Sequence, residues 1–287
     1  RIKNLTIDTA AFSSTKGQLF ELKYPINRFF SVKEFDDYYG EKFYSKKLKG
    51  GKTSSYINSL QKDNRFKKLK NIFSKTSNKY LFGNYKKIQE IKKKKLEQIF
   101  KHKISNICFL DHHMCHAYYG KFSIDNKEKN YAVIVLDSIG DEINQSIWLP
   151  HIKKGYLKNI IRNNQCELGR IYKFTTLIMN MKPDEHEFKV MGMAPYAKEH
   201  YFKKIYKNVF KDIHKFSGLS IVHKKRPKDL YLFLKDKLKH ERFDNIAGAV
   251  QYYLESIVNE LLTKIFKKYG VKKFFFSGGI SMNIKMY

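Results

Sequence analysis

Residues 108–120 read Cys-Phe-Leu-Asp-His-His-Met-Cys-His-Ala-Tyr-Tyr-Gly and hold three of the ten histidines in the chain. Ile104, Ile107, Phe109 and Leu110 give a short apolar strand pattern, after which Asp111 can cap a helix that carries His112 and His116 in its first turns. Residues four apart share one helical face, so these two imidazoles can take one divalent ion, with His113 turned roughly 100° away about the axis. The plain alternative is a helix start with polar residues at its mouth, because a bare His-x-x-x-His pair is a weak signal. Cys115 beside His116 suggests a nucleophile, but neighbours in a helix point apart, and a buried thiol is the simpler reading.

Downstream, Tyr131-Ala-Val-Ile-Val-Leu136 is nearly all β-branched or apolar, the pattern of a strand buried on both faces. It runs into Asp137-Ser-Ile-Gly-Asp-Glu142, read as a turn at the strand's carboxyl end, where α/β proteins place ligands. Ser146–Leu149 can return as a partner strand, which would make Asp137 and Asp141 ordinary hairpin residues. A helix is expected from about Gly169 to Asn180, then an acidic loop from Pro183, then Phe188-Lys-Val-Met-Gly192. Glu187 and Lys189 beside glycines suit a polyanionic ligand, and a solvated loop and a small-residue helix contact explain them nearly as well. Asp244 is expected to cap a helix whose broad apolar face includes Ile246, Val250, Tyr253, Ile257, Leu261, Ile265 and Phe266, with Gly270 as its stop. A last strand, Lys272–Phe276, leads into Ser277-Gly-Gly-Ile-Ser-Met-Asn283, where a glycine pair before a helix start can offer backbone N–H groups to phosphate.

The 287 residues suffice for one large core or two modest ones. No apolar run approaches the roughly 20 residues of a membrane span and no secretory h-region is visible, which predicts a soluble protein. Cys108, Cys115 and Cys166 are too few and odd in number for a disulfide framework, so a reducing, cytoplasmic setting is expected. The formal net charge of +30 suggests nucleic acid or an anionic membrane. The excess is almost all Lys spread along the chain, Arg is scarce, and a compositional bias explains it, so nucleic acid is not expected as a partner. Leu5–Asp8 and Gln18–Leu22 read as short strands, 30–103 as a Lys-rich helical insertion, and 201–242 as a basic variable connection with Arg226-Pro227 as a break. Gly51-Lys52-Thr53 mimics the end of a phosphate-binding P-loop, but Lys46 stands where that motif needs Gly, and it is rejected.

Together the pieces resemble the O-carbamoyltransferases of the NodU and CmcH type. The matching motifs are Asp-His-His-x-x-His-Ala at 111–117, Leu-Asp-x-x-Gly-Asp at 136–141, and Glu-x-Lys-Val-Met-Gly-x-Ala-Pro-Tyr at 187–196. Asp-Asn-Ile-Ala-x-x-Val-Gln-x-x-Leu-Glu at 244–255 and Ser-Gly-Gly-Ile-x-x-Asn at 277–283 complete the set. The resemblance implies an α/β fold of the actin-like ATPase (ASKHA) superfold, with mixed sheets flanked by helices and Lys-rich helical insertions. Residues 1–243 would form its first lobe and 244–287 the start of a second. It implies a divalent metal, Fe2+ by preference, on His112 and His116 with Asp137 as a further ligand. It also implies a nucleotide held by Gly278, Gly279 and Asn283 with help from Gly169, Glu187 and Lys189.

By that resemblance ATP and carbamoyl phosphate would give carbamoyl-adenylate in a YrdC-like domain, expected after Tyr287. The carbamoyl group would then pass to a hydroxyl of a small molecule or sugar. A His serving as base is expected before Arg1 and a further Asp ligand after Tyr287, so the chain reads as a piece of a longer protein and no catalytic residue is assigned within it. Ala197 and Tyr287 depart from the family pattern, standing where Gly and a second Asn are usual. Two other functions fit the residues less well. A tRNA threonylcarbamoyl transferase would use the basic surface but normally carries Glu-Gly where Met114-Cys115 stands, and a non-enzymatic basic RNA- or anion-binding protein would need neither metal nor nucleotide.

Overall fold

The run Tyr131–Leu136 becomes the centre of the fold, as its unbroken apolar character requires. In the computed structural model, which describes residues 9–13, 85–124, 128–141, 143–151, 155–225, 227 and 229–286, these six residues are at most 4% exposed. By the density of contacts the chain divides into two units, 1–29 with 38–112 and 30–37 with 113–287.

Within the described part of the first unit, β1 (Thr9–Phe12) pairs in parallel with β2 (Asn106–Phe109), and α1 (Tyr85–Phe100) lies between them in sequence. Lys92 of α1 is buried, its ammonium 5.9 Å from the centre of the Phe109 ring, and Glu97 accepts the Ile104 N–H at 3.2 Å. Ile99 is 55% exposed near the end of this helix. The expected strands Leu5–Asp8 and Gln18–Leu22, and most of the 30–84 segment with its Gly51-Lys52-Thr53, lie outside the described residues.

The second unit is built on a mixed sheet ordered β5-β4-β3-β8. β3 (Tyr131–Gly140) runs antiparallel to β4 (Ile143–Pro150), which runs antiparallel to β5 (Leu157–Asn163), and β8 (Lys273–Ser277) joins β3 in parallel. The return strand is therefore longer than Ser146–Leu149. The expected turn over 137–142 is mostly strand, with the register shifting between Leu136 and Gly140 and the chain reversing at Asp141, whose φ is 50°. Asp137 thus sits in an irregular stretch, where a ladder interruption re-aims a side chain.

Helix α2 (His112–Phe122) covers one face of β3, where Ala117 packs with Tyr131, Val133, Val135, Trp148 and Leu157. Each buried Val or Leu there contributes about 1.5–3 kcal/mol relative to exposure. Helix α3 (Leu168–Ile178) ends two residues earlier than expected because Asn180 takes the left-handed conformation, φ 59°. α4 (Glu187–Met193) absorbs the expected 188–192 segment. The 201–242 region holds the last part of α5 (Glu199–Ile205), the hairpin of β6 (His214–Ser217) and β7 (Ser220–His223), and α6 (Leu230–Leu238). α7 (Phe243–Tyr269) buries Ile246, Val250, Tyr253, Ile257, Leu261 and Ile265, and it stops at Gly270 with φ 65°. Arg242, not Asp244, is its N-cap: Asp244 lies in the first turn, pairs with Arg242 at 3.0 Å, and accepts the Asn245 N–H. Phe266, expected on the apolar face, is 48% exposed.

The β6–β7 hairpin brings His214 to α7, where its Nδ1 accepts from the Tyr253 hydroxyl and its Nε2 donates to the Gln165 carbonyl at 3.0 Å. Burial first, and the nearby His223 second, hold the His214 imidazole down to about 4 from 6.5. The folded state therefore favours neutral His214, and the unfolded chain takes up the proton first as pH falls. Stability should be full above pH 6.5 and decline between 6.5 and about 4, by about 3 kcal/mol at 1.36 kcal/mol per pH unit. Urea unfolding at stepped pH should show this slope, and His214→Gln should flatten it; an unchanged slope in the variant would rule out His214 as its source.

Candidate metal centre

Strand β2 delivers the chain to α2, and the helix places His112 and His116 one turn apart on one side. His112 is the first residue of this helix. Among the described residues, His112, His116 and Asp137 form a group whose potential ligand atoms all lie within 4.8 Å of one another, each partly exposed. The His116 Nε2 is 3.8 Å from Asp137 Oδ2, longer than a hydrogen bond and open enough for an ion between them. Two imidazoles and a carboxylate are donors that first-row divalent metals accept, so the chemistry of the set fits such an ion.

The surrounding groups orient these donors. Nδ1 of His112 lies 3.2 Å from the Ser13 carbonyl, an acceptor that calls for a proton on Nδ1 and a lone pair on Nε2. Nδ1 of His116 lies 3.3 Å from Ser277 Oγ, which turns Nε2 toward Asp137. Asp137 Oδ1 accepts the Ser138 N–H at 2.7 Å. Partners of this kind, one bond away from a ligand, fix tautomer and ring orientation and tune affinity. His113 points elsewhere, fully buried, with Nδ1 2.9 Å from Ser146 Oγ and Nε2 3.1 Å from the Ile143 carbonyl.

The glycines named from the sequence gather at this same end of β3. A Cβ on Gly278 would stand 2.5 Å from the Leu136 carbonyl oxygen, on Gly279 3.1 Å from Asp137 Oδ1, and on Gly169 2.9 Å from Ser138 Cα. The loop after β8 is a 3-10 turn, Gly279–Met282, rather than an α-helix start. Asn283 is buried and exchanges two hydrogen bonds with Gln251, at 2.8 and 3.0 Å. Gln251 also accepts from the Tyr172 hydroxyl and donates to Glu255. Burial raises the Tyr172 phenol, and the Glu187 carboxylate adds to that rise, which places Glu187 in the field of this network. Glu187 is itself pushed above the usual carboxylate range, chiefly by burial, while accepting the Asp184 N–H at 2.7 Å. Lys189 is exposed, its ammonium 5.8 Å from the Phe188 ring centre.

Structure thus joins His112, His116 and Asp137 with Gly169, Gly278 and Gly279, links Asn283 to Tyr172 through Gln251, and leaves Lys189 on the surface. Sequence reasoning missed Ser277 as the partner of His116 and Gln251 as the partner of Asn283. Both stand inside quoted motifs, the only signal a single sequence offered for them.

A family model described as carbamoyltransferase N-terminus matches residues 21–287. The chain is 26% identical to the uncharacterised protein MJ1058 of Methanocaldococcus jannaschii over 77% of this chain and 36% of that protein. It is 28% identical to MJ1051 of the same organism over 67% of this chain and 38% of the relative. An uncharacterised Synechocystis protein, sll1178, is 24% identical over 62% of this chain and 31% of its own length. The chain therefore spans about a third of the length of these relatives.

Proposed function

Because the chain belongs to the carbamoyltransferase family, in its N-terminal part, we propose that it supplies the metal-binding and nucleotide-binding lobe of an O-carbamoyltransferase with an actin-like ATPase fold. The observation that carries this reading is the convergence of His112, His116 and Asp137 beside the Gly278-Gly279 loop. His112, His116 and Asp137 would hold Fe2+ or a like divalent ion, which when bound supplies Lewis-acid polarisation of phosphate or carbamoyl oxygens.

The other groups bind and orient. Backbone N–H groups at Gly278 and Gly279 receive phosphate of the nucleotide. Gly169 lets α3 close on β3, Asn283 and Gln251 brace the loop, and Glu187 and Lys189 border the nucleotide. Carbamoyl phosphate, ATP and water yield carbamoyl-adenylate, phosphate and pyrophosphate in a YrdC-like domain of the complete protein. The acceptor hydroxyl oxygen then attacks the carbamoyl carbon, AMP leaves, and the hydroxyl proton is lost to a base. Holding both reactants in place supplies much of the acceleration. The acceptor is a small molecule or sugar, and the protein works in the cytoplasm.

The test is to supply the complete protein with carbon-labelled carbamoyl phosphate, ATP, and either hydroxylated metabolites and sugars or tRNA. Label in a small molecule, with one AMP per transfer, is the expected result. Label confined to tRNA would favour the threonylcarbamoyl type of modification, for which the net charge of +30 is the supporting observation. Salt-sensitive RNA retention with no transfer to either would point to simple anion binding.

A further inference from the structure

We infer that His113, which holds no metal, is the positioning residue that sets the distance between the histidine and aspartate donors. The inference rests on the metal reading of His112, His116 and Asp137. His113 is 0% exposed and bonds β4 at two points, Ser146 Oγ at 2.9 Å and the Ile143 carbonyl at 3.1 Å. In the β3–β4 ladder Ser146 lies opposite Val135, and Ile143 opposite Gly140. The two anchor points therefore straddle Asp137, in the interval where the ladder loses register. On its other side His113 is the immediate neighbour of His112 and one helical turn from His116.

The hydrogen-bond chemistry at this point allows one arrangement. A carbonyl only accepts, so Nε2 of His113 carries the proton and Nδ1 accepts from the Ser146 hydroxyl. The Trp148 indole N–H, which only donates, reaches Ser146 Oγ at 2.8 Å. Each group then serves the next: Trp148 donates to Ser146, Ser146 to His113, and His113 to Ile143. The chain of bonds is buried, where such networks are stiff and losing one member leaves polar groups unpaired. The stiffness lies between the helix that carries both histidines and the only irregular stretch of β3, which carries the aspartate. Without it the sheet contacts of Ala117 and Met114 still seat the helix, but its first turn can rock against Asp137.

Cobalt(II) titration of the complete protein separates the outcomes. Wild type, His113→Ala and Ser146→Ala are each titrated while the cobalt d–d absorption and the melting temperature are followed. His113→Ala should keep one cobalt per chain, bind it about tenfold more weakly, and show an altered d–d band, the scale of loss seen when a supporting group around a metal is removed. A merely structural role would lower the melting temperature and leave band and affinity alone, and that result overturns the inference. If His113→Ala does not fold, Ser146→Ala decides: weaker binding with a changed band supports the role, and wild-type affinity and band refute it. Absence of cobalt binding by the wild type would instead sink the underlying metal reading.

Discussion

Replacing His116 with Ala is expected to lower the affinity for divalent metal by at least about a hundredfold. Loss of a supporting group around a ligand already costs 10–100-fold, and removing the ligand itself costs more. The His116 side chain is 32% exposed, with its ring nitrogens toward Ser277 and Asp137. The helix it sits on remains seated by Ala117, Met114 and Tyr118. His112→Ala should act in the same direction. Metal content after dialysis, and competition against a chelator of known affinity, measure the change; wild-type metal content in both variants would remove the histidine pair from the site.

Gly278→Ala is expected to destabilise the fold by about 4 kcal/mol, from two sources of comparable size. Gly278 has φ 91° and ψ 171°, a region essentially reserved for glycine that costs another residue about 1–3 kcal/mol. Its added Cβ would also meet the Leu136 carbonyl oxygen at 2.5 Å, and forcing apart a packed backbone costs about 1–3 kcal/mol more. A fall in melting temperature of about 10 °C corresponds to that loss. Gly279→Ala offers a contrast: its Cβ would press on Asp137 Oδ1 at 3.1 Å, so it should weaken metal binding while costing less stability. A Gly278→Ala protein that melts with the wild type would show that the strand-end packing tolerates a shift.

The sequence was most readable where one local pattern acts alone. The apolar run at Tyr131–Leu136 could only be a buried strand, and the long apolar face ending at Gly270 could only be a helix with a left-handed stop. Boundaries were less readable where tertiary contacts decide them. The strand continues through Asp137 because β4 pairs with it up to Gly140, and α7 begins at Phe243 because Asp244 is engaged with Arg242. His112 and His116 were legible because they share a helix. Their relation to Asp137 follows only from the packing of α2 on β3, and the contact of His116 with Ser277 spans 161 residues. The glycines were visible, but the sequence did not say what they approach; the closeness of Gly169 and Gly278 to the β3 backbone gives both a packing duty.

Anomalous diffraction at the iron absorption edge from crystals of the metal-loaded protein bears most directly on the central claim. A single strong peak is expected about 2.0–2.2 Å from one nitrogen each of His112 and His116 and from a carboxylate oxygen of Asp137. A peak coordinated by other residues, or no peak there from protein that carries stoichiometric metal in solution, would contradict it.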